Sequence, residues 1–138
     1  MDVDALVNDI ASQSNTLSFD LTGDDIVDGD DLEAWLLEAG EANLGPGQAY
    51  LEGDADLSGA VDVSDFNVWN NNRFLPAAAW CQGDFNADGN VDVSDFNIWN
   101  SNKFSFSDHA VPEPSGLLLI LISALSLLEF SRRNSTRD

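Results

Sequence analysis

The chain has very little cysteine, histidine or positive charge. Cys81 is its only cysteine, so no internal disulfide can form. His109 is its only histidine and stands at no recognisable catalytic spacing from a serine or cysteine, so we expect no enzymatic activity from this chain. Only 5 Lys and Arg residues accompany 25 Asp and Glu, which gives a formal net charge of −20 at pH 7. Because phosphate neutralisation needs clustered Lys and Arg, this composition argues against nucleic acid as a partner.

The negative charge is concentrated before residue 111. The only basic residues there are Arg73 and Lys103, whereas the remaining tail balances its acidic residues with Arg132, Arg133 and Arg137. A body this acidic resists compaction through self-repulsion unless cations bind to it. Calcium would supply that neutralisation.

Oxygen-bearing side chains, in contrast, are abundant and follow a twelve-residue pattern. From Asp84 to Asp95 they occupy positions 1, 3, 5, 9 and 12, and Gly89 stands at position 6. This is the ligand spacing of a calcium loop. A nearly identical segment runs from Asp54 to Asp65, and a more diverged one from Asp20 to Asp31. Repetition in register indicates duplicated metal sites, since a chance scatter of acids would not repeat.

Each loop is predicted to supply five side chains and, at position 7, a backbone carbonyl to calcium. The third loop offers Asp84, Asn86, Asp88, Asn90 (carbonyl), Asp92 and Asp95; the second Asp54, Asp56, Ser58, Ala60 (carbonyl), Asp62 and Asp65; the first Asp20, Thr22, Asp24, Ile26 (carbonyl), Asp28 and Asp31. We expect two calcium sites in the second and third loops and a third site in the first. The alternative is that these acids are solvated turn residues.

Three details of the loops lead to narrower expectations. Ser58 removes one carboxylate, so we expect weaker binding in the second loop. Asp25 replaces the turn glycine of the first loop, and Asp tolerates a left-handed conformation better than most residues. Val91, at position 8, is expected either to pack inward or to pair with its counterpart in the partner loop.

An apolar pattern of helical spacing follows each loop. Large side chains three and four residues apart share one helical face, and they are Leu32, Trp35 and Leu36, then Phe66 and Trp69, then Phe96 and Trp99. The repeating unit is therefore a loop followed by a helix, which predicts a mainly α fold. We interpret the three recurring tryptophans as core residues, with sugar-stacking platforms as the alternative. Trp80 lies in a linker and is predicted to be an exposed contact, with Cys81 partly buried beside it.

The start of the chain resembles the part of a repeat that follows a loop. Asp2 to Val7 aligns with Asp31 to Leu36, which predicts a helix from Val3 to Ala11. Met1 to Ile10 is acidic and lacks the basic and apolar regions of a signal peptide. We expect the chain to be the C-terminal part of a longer protein, and a chain that starts at Met1 is the alternative.

These patterns divide the chain into four segments. Residues 1–16 hold the helix of a truncated calcium repeat, and residues 17–45 form the first loop–helix repeat. Residues 46–109 form a duplicated pair of repeats, separated from the first by Gly45-Pro46-Gly47. Residues 110–138 form a tail with a rigid linker, an apolar helix and a basic end.

The segments Gly53 to Phe74 and Gly83 to Phe104 resemble type I dockerin domains, in their loops, in the Asp at position 12 and in the helices that follow. The resemblance implies a dockerin-like pair of calcium loop–helix (half EF-hand) repeats related by pseudo-twofold symmetry. It also implies docking to a cohesin-like partner and, by family association, a part in polysaccharide catabolism. Val63-Ser64 and Val93-Ser94 stand where the family has Ser-Thr. The alternatives are a calcium-stiffened spacer without a partner, and the C-terminal part of a secreted polysaccharide-degrading hydrolase.

The tail resembles a PEP-CTERM protein-sorting signal, with Val111-Pro112-Glu113-Pro114-Ser115, an apolar run from Leu117 to Leu128 and then Arg132-Arg133. The resemblance implies export from a bacterial cell and transient anchoring in the membrane through a C-terminal hydrophobic helix, residues 116–130. It further implies processing by an exosortase-type enzyme and delivery to the cell surface or extracellular matrix. The apolar run is shorter than the roughly 20 residues that span a bilayer, so a buried core helix is the alternative.

Overall fold

The computed structural model describes residues 1–76 and 79–107. These residues form four α-helices, which are α1 (Val3–Ser12), α2 (Gly29–Asn43), α3 (Val63–Asn72) and α4 (Val93–Asn102), and two 3-10 turns, Leu17–Phe19 and Trp80–Gln82. The described part contains no β-strand, only the isolated bridges Ala60–Phe106 and Pro76–Asn90. The prediction of a mainly α fold is therefore confirmed. None of the described helices is long and apolar enough to cross a membrane.

The predictions for His109 and for the sorting segment, residues 110–138, lie outside the described residues. The N-terminal helix, predicted from Val3 to Ala11, extends from Val3 to Ser12 in the structure. Asp2 precedes it and accepts a hydrogen bond from the backbone N–H of Asp4, which satisfies one of the free donors at the start of the helix.

The other three helices begin inside the acidic loops. The Asp at position 9 caps each helix by accepting the N–H two residues later, and the Asp at position 12 accepts the N–H of position 9; these residues are Asp28 and Asp31, Asp62 and Asp65, and Asp92 and Asp95. The reciprocal arrangement is a capping box. Its negative charges lie at the positive end of the helix dipole. Two predicted ligand positions of every loop are thus also the first residues that hold the helix in place.

The four helices pack as two pairs around one core. Helix α1 contacts α2, α3 contacts α4, and the Trp80–Gln82 turn contacts both α1 and α3. Trp80 is fully buried: its indole Nε1–H donates to the Asp54 carbonyl at 2.7 Å, and its ring meets Phe85 edge-on at 5.4 Å. The prediction of an exposed contact at Trp80 is wrong, because the linker folds back beneath the second loop.

Cys81 is exposed, so the prediction of a partly buried side chain there is also wrong. The pKa of its thiol is raised to about 11, first by a hydrogen bond with the Asp4 carboxylate and then by burial and the negative charge of Asp4. Since the thiolate is the reactive form, this cysteine is a poor nucleophile at neutral pH.

Helices α3 and α4 meet through four aromatic rings. The contacting ring centroids of Phe66, Trp69, Phe96 and Trp99 lie between 5.0 and 6.5 Å apart, in tilted and edge-on orientations. Both tryptophans belong to the buried core, as does Trp35 of α2, so the interpretation of the recurring tryptophans as core residues is confirmed. Aromatic pairs in these orientations contribute stabilisation beyond their buried area.

Each helix of this pair is also bonded to the loop of its partner. The Trp69 indole on α3 donates to the Asp92 carbonyl in the third loop at 2.8 Å, and the Trp99 indole on α4 donates to the Asp62 carbonyl in the second loop at 2.9 Å. A Cβ atom on Gly83 would lie 3.0 Å from the Trp69 Cα atom, so only glycine permits this approach of backbone to helix. The exchange is reciprocal and relates the two repeats by an approximate twofold.

Position 8 takes part in the same exchange. Val91 is fully buried; its carbonyl accepts the Phe74 N–H at 2.6 Å and its N–H donates to the Leu75 carbonyl at 3.3 Å. Val61 is bonded in the same way to Phe104 and Ser105. Val91 therefore packs inward as one expectation had it, while its backbone pairs with the chain after α3 and not with its counterpart Val61.

Candidate metal centres

The position-12 aspartates form the centre of all three loops. Asp31, Asp65 and Asp95 are fully buried, and each carboxylate accepts three backbone N–H groups, from positions 2, 3 and 9 of its own loop. An ionised carboxylate offers about four lone-pair directions. Each of these groups therefore keeps acceptor capacity for one more electropositive ligand while it fixes the shape of its loop.

The position-1 aspartates close each loop from the other side. Asp54 accepts the N–H groups of Ser58 and Gly59 at 3.0 and 2.8 Å, and Asp84 accepts those of Asp88 and Gly89 at 3.1 and 2.9 Å. Asp20 accepts three N–H groups, from residues 23, 24 and 25 of the first loop. Asp54 and Asp84 are fully buried, whereas Asp20 is half-buried.

Positions 4 and 6 turn the chain around these carboxylates. All six residues have φ between 55° and 85°, in the left-handed region; they are Gly23 and Asp25, Leu57 and Gly59, and Ala87 and Gly89. Asp25, at φ 70°, adopts the conformation that glycine has in the other two loops, as the sequence predicts. Non-glycine residues carry some strain there, which the hydrogen bonds to position 1 offset.

One loop brings three carboxylates together. Ligand oxygens of Asp54, Asp56 and Asp65, at positions 1, 3 and 12 of the second loop, all lie within 4.8 Å of one another. Asp54 and Asp65 are buried and Asp56 is exposed, so the group opens to solvent on one side. A metal ion could be held there. Within residues 1–76 and 79–107, no other three acidic, histidine or cysteine side chains come this close.

Burial and mutual repulsion raise the pKa values of two carboxylates in this group. Burial, together with the charge of Asp65, raises the pKa of Asp54 to about 6, and burial with the charge of Asp56 raises the pKa of Asp65. Backbone hydrogen bonds oppose both shifts without cancelling them. A bound cation would remove this electrostatic cost, because it stabilises the ionised form of both groups.

The third loop has the same framework with different chemistry at position 3. Its Asn86 amide occupies the place of Asp56: the Oδ1 atom accepts the Asp88 N–H at 3.1 Å and the Nδ2 atom donates to the Asp88 carboxylate at 2.9 Å. Burial, aided by the charge of Asp95, raises the pKa of Asp84 to about 7, and burial likewise raises the pKa of Asp95. This loop carries buried carboxylates at the same two positions.

The first loop differs from the other two in its exposure and in the direction in which the pKa of its position-12 carboxylate is shifted. Thr22 stands at position 3, where its hydroxyl donates to Asp20 at 3.4 Å, and Asp24 at position 5 accepts the Ile26 N–H at 2.9 Å. At Asp31 burial favours the neutral form, but bonds from Asp28, Thr22 and Leu21 outweigh it and the pKa of Asp31 is lowered. Since all three loops give this carboxylate the same three backbone bonds, the difference follows from the greater exposure of the first loop, whose residues 21–26 are all exposed.

Positions 5, 7 and 9 complete the predicted ligand sets. The Ser58 hydroxyl donates to the Ala60 carbonyl at 3.3 Å, and Asp88 accepts the Asn90 N–H at 2.9 Å. The position-7 residues are Ile26, Ala60 and Asn90, and the last two also form the isolated bridges. At position 9, the carboxylates of Asp28, Asp62 and Asp92 cap the helices and are bonded to Asp30, Ser64 and Ser94.

Asn15 is a contributor that the sequence reasoning missed. Its Oδ1 atom accepts the Val27 N–H at 2.7 Å, and its Nδ2 atom donates to the Asp25 carbonyl at 3.1 Å. It thereby bonds position 8 of the first loop, a group that the partner repeat bonds in the other two loops. The only signals in the sequence are its residue type and its location before an acidic loop, since Asn favours left-handed turns, and in the structure its φ is 51°.

Comparison with known proteins yields no relative: no family model, no curated protein and no solved structure matches this chain. What the centres bind therefore follows from their donor atoms. Those atoms are oxygens of carboxylate, amide, hydroxyl and carbonyl groups, held by backbone N–H groups around buried carboxylates. Such a donor set suits a hard cation and not a thiolate- or imidazole-seeking metal.

Proposed function

We propose that this chain is a calcium-binding, dockerin-like module of an exported, surface-sorted protein. The observation that carries the proposal is the three-carboxylate group of Asp54, Asp56 and Asp65, built into a loop whose framework recurs at Asp84 and Asp95. Half EF-hand repeats of this kind bind calcium through loop oxygens and need no entering helix. The module is not an enzyme.

Calcium fits this framework better than magnesium. Calcium accepts six to eight oxygens in flexible geometry, whereas magnesium demands a near-ideal octahedron and retains water. The second and third loops offer oxygens from short side chains and from carbonyls such as those of Ala60 and Asn90. This set matches the coordination that calcium prefers. The carboxylates whose pKa is raised in the free protein gain most from a divalent charge, and they are Asp54, Asp65, Asp84 and Asp95.

Docking to a cohesin-like protein is the proposed role of the calcium-loaded pair. Val63 and Val93 are equivalent residues at the starts of α3 and α4, and they are 56% and 57% exposed. Two similar apolar contacts on the two helices offer two similar docking faces. Because both helices begin at calcium ligands, loss of the metal would displace both faces.

A calcium-stiffened spacer without a partner is the second candidate. It is favoured by the reciprocal bonds between α3, α4 and the opposite loops, which make the pair a rigid unit in its own right.

The proposed cellular setting is the same for the docking module and for the spacer. The module belongs to an exported bacterial protein, such as a polysaccharide-degrading hydrolase, and its tail directs membrane anchoring, exosortase-type processing and surface delivery.

Isothermal titration of the full chain with calcium chloride at pH 7 tests the proposal. We expect two ions to bind at the second and third loops, and a weaker third ion in the first. Asp65→Ala and Asp95→Ala are each expected to lose one of the two ions, whereas Glu41→Gln, an exposed change outside the loops, should lose none. Absence of binding up to millimolar calcium would refute the proposal.

The docking role needs its own experiment. A cohesin-like protein immobilised on a sensor should capture the calcium-loaded chain, and Val63→Asp with Val93→Asp together should abolish the capture. Calcium binding without capture by any tested cohesin-like protein, and without an effect of these substitutions, would favour the spacer.

A further inference from the structure

A groove of about 610 Å³ lies between α2 and the segment that leads into the second loop, and Asp30, at position 11 of the first loop, is among the residues that line it. Its floor includes Leu37, Tyr50 and Leu51. Leu37 is 49% exposed, so the groove presents an accessible apolar side chain. The volume lies within the range of ordinary ligand pockets.

The walls of the groove are fixed by direct backbone contact. A Cβ atom on Gly40 would lie 2.6 Å from the Ala49 Cα atom, so α2 and the segment around residue 49 touch without intervening side chains. The Tyr50 N–H also donates to the Leu36 carbonyl of α2 at 3.0 Å. A groove held in this way is preformed, which lowers the entropic cost of binding to it.

The rim of the groove is acidic. Asp30 and Glu33 lie one turn apart on α2, and Glu52 comes from the adjoining segment; all three are exposed. Among the described residues that line the groove, none is a lysine, arginine or histidine. An apolar floor with only negative charge around it is complementary to an apolar side chain flanked by cations.

We propose that this groove binds a basic amphipathic segment of a partner protein, with an apolar side chain over Leu37 and Leu51 and Lys or Arg side chains facing Glu33 and Glu52. Charge complementarity selects this occupant. A second copy of the chain is as acidic as the first, and an anionic membrane would be repelled. The groove is lined by none of the predicted metal ligands, and its residue Asp30 adjoins one of them, Asp31.

The test uses a short synthetic peptide of leucine and lysine that forms an amphipathic helix, and a matched peptide with glutamine in place of lysine. Binding to the calcium-loaded full chain is followed by methyl NMR shifts of Leu37 and Leu51. We expect these methyls to shift with the basic peptide only. Leu37→Asn, and Glu33→Gln combined with Glu52→Gln, should each weaken binding about tenfold.

Glu41→Gln, which removes an exposed charge on α2 outside the groove, separates the site from general attraction to an acidic protein. It should leave the affinity unchanged. An equal loss of affinity in Glu41→Gln, or no methyl shift at millimolar peptide, would overturn the proposal. Methyl shifts that depend on protein concentration without peptide would assign the groove to a second copy and overturn it as well.

Discussion

Position 8 shows most clearly how the first repeat differs from the duplicated pair. The Val61 and Val91 N–H groups donate to backbone carbonyls of the partner repeat, at Ser105 and Leu75, whereas the Val27 N–H donates to the side chain of Asn15. The pair therefore completes its loops by backbone exchange between two repeats, whereas the first repeat receives a side chain from the truncated repeat, residues 1–16. The first repeat is thus held by residues 1–16, through Asn15 and through the Trp35 indole, which donates to the Met1 carbonyl.

The carboxylates differ in the same sense. At position 12, burial raises the pKa of Asp65 and Asp95 in the pair, whereas backbone hydrogen bonds outweigh burial and lower the pKa of Asp31 in the first repeat. At position 1 of the pair, burial raises the pKa of Asp54 to about 6 and of Asp84 to about 7. The buried acids of the pair thus carry an electrostatic cost that a cation relieves. Because all three loops give the position-12 carboxylate the same three N–H groups, the difference lies in burial: Asp20 is half-buried, whereas Asp54 and Asp84 are fully buried, so a cation gains less in the first repeat.

Removal of a position-12 carboxylate should have the largest effect and should separate the response of the first repeat from that of the duplicated pair. Asp95→Ala leaves three backbone N–H groups without their acceptor, which should cost roughly 3 to 5 kcal/mol. Because α3 and α4 are bonded to each other's loops, both should lose protection together in a urea titration followed by NMR. Asp31→Ala removes the three equivalent bonds of the first loop and should release α2 without affecting α3 or α4. Loss of protection that extends to equally many helices in the two variants would contradict the reciprocal bonding of α3 and α4 to each other's loops.

The pH dependence of the metal-free protein should separate the two regions next. A raised pKa in the folded state means that Asp54 and Asp84 stabilise the fold below their unfolded value of 3.8, and that this contribution is lost as the pH rises through about 6 to 7. Without metal, urea stability should therefore fall by on the order of a few kcal/mol between pH 5 and 8. Calcium at pH 8 should restore it.

Two controls accompany this pH profile. Asp84→Asn should flatten it, whereas Glu41→Gln, at an exposed position, should not. Asp31 acts with the opposite sign, since its lowered pKa stabilises the fold above 3.8 and that contribution is lost as the pH falls further. A metal-free protein that becomes more stable from pH 5 to 8 would show that ionisation of Asp54 and Asp84 does not destabilise the pair.

The indole bonds offer a smaller and more specific effect. Trp69→Phe keeps an aromatic ring but removes the donor to the Asp92 carbonyl, at a cost of about 1 to 2 kcal/mol. Since Asp92 belongs to the third loop while Trp69 follows the second, calcium affinity should fall more at the third loop. Trp99→Phe should do the reverse, as read from calcium titrations of the loop amides by NMR. Trp35→Phe, whose donor reaches Met1, should change neither.

Asp25→Gly should give the smallest effect and the opposite sign. Asp25 has φ 70°, where the other loops have glycine, and it adds a negative charge to an exposed loop. Glycine relieves that strain and should stabilise the first repeat by about 0.5 to 1 kcal/mol, measured by urea unfolding of α2. Gly89→Asp in the third loop is the matched reverse change and should destabilise. A loss of stability in Asp25→Gly would mean that the carboxylate itself contributes to the first loop.

The features that the sequence predicted are those with short-range causes. The start of each helix follows from position 9 and position 12 within one loop, and the burial of Trp35, Trp69 and Trp99 follows from helical spacing. The bonds from Val91 to Leu75 and from Trp69 to Asp92 join different repeats. Spacing within a repeat carries no information about them.

Trp80 and position 3 illustrate two other limits. Trp80 looked like a linker residue because its burial depends on the Asp54 carbonyl, 26 positions away. The third loop matches the calcium pattern best by residue type, yet the group of three carboxylates forms in the second loop, where position 3 is Asp56 and not Asn86. A pattern of ligand types ranks an amide and a carboxylate alike, although only the carboxylate adds a charge.

The central claim is that a metal ion in the second and third loops stabilises α3 and α4 as one unit. Hydrogen–deuterium exchange of the full chain at pH 7, with calcium and with a chelator, tests it most directly. Calcium should slow exchange in α3 and α4 together by at least tenfold, which corresponds to about 1.4 kcal/mol of added stability, and should slow α2 less. Equal exchange of α3 and α4 with calcium and with chelator would contradict the claim.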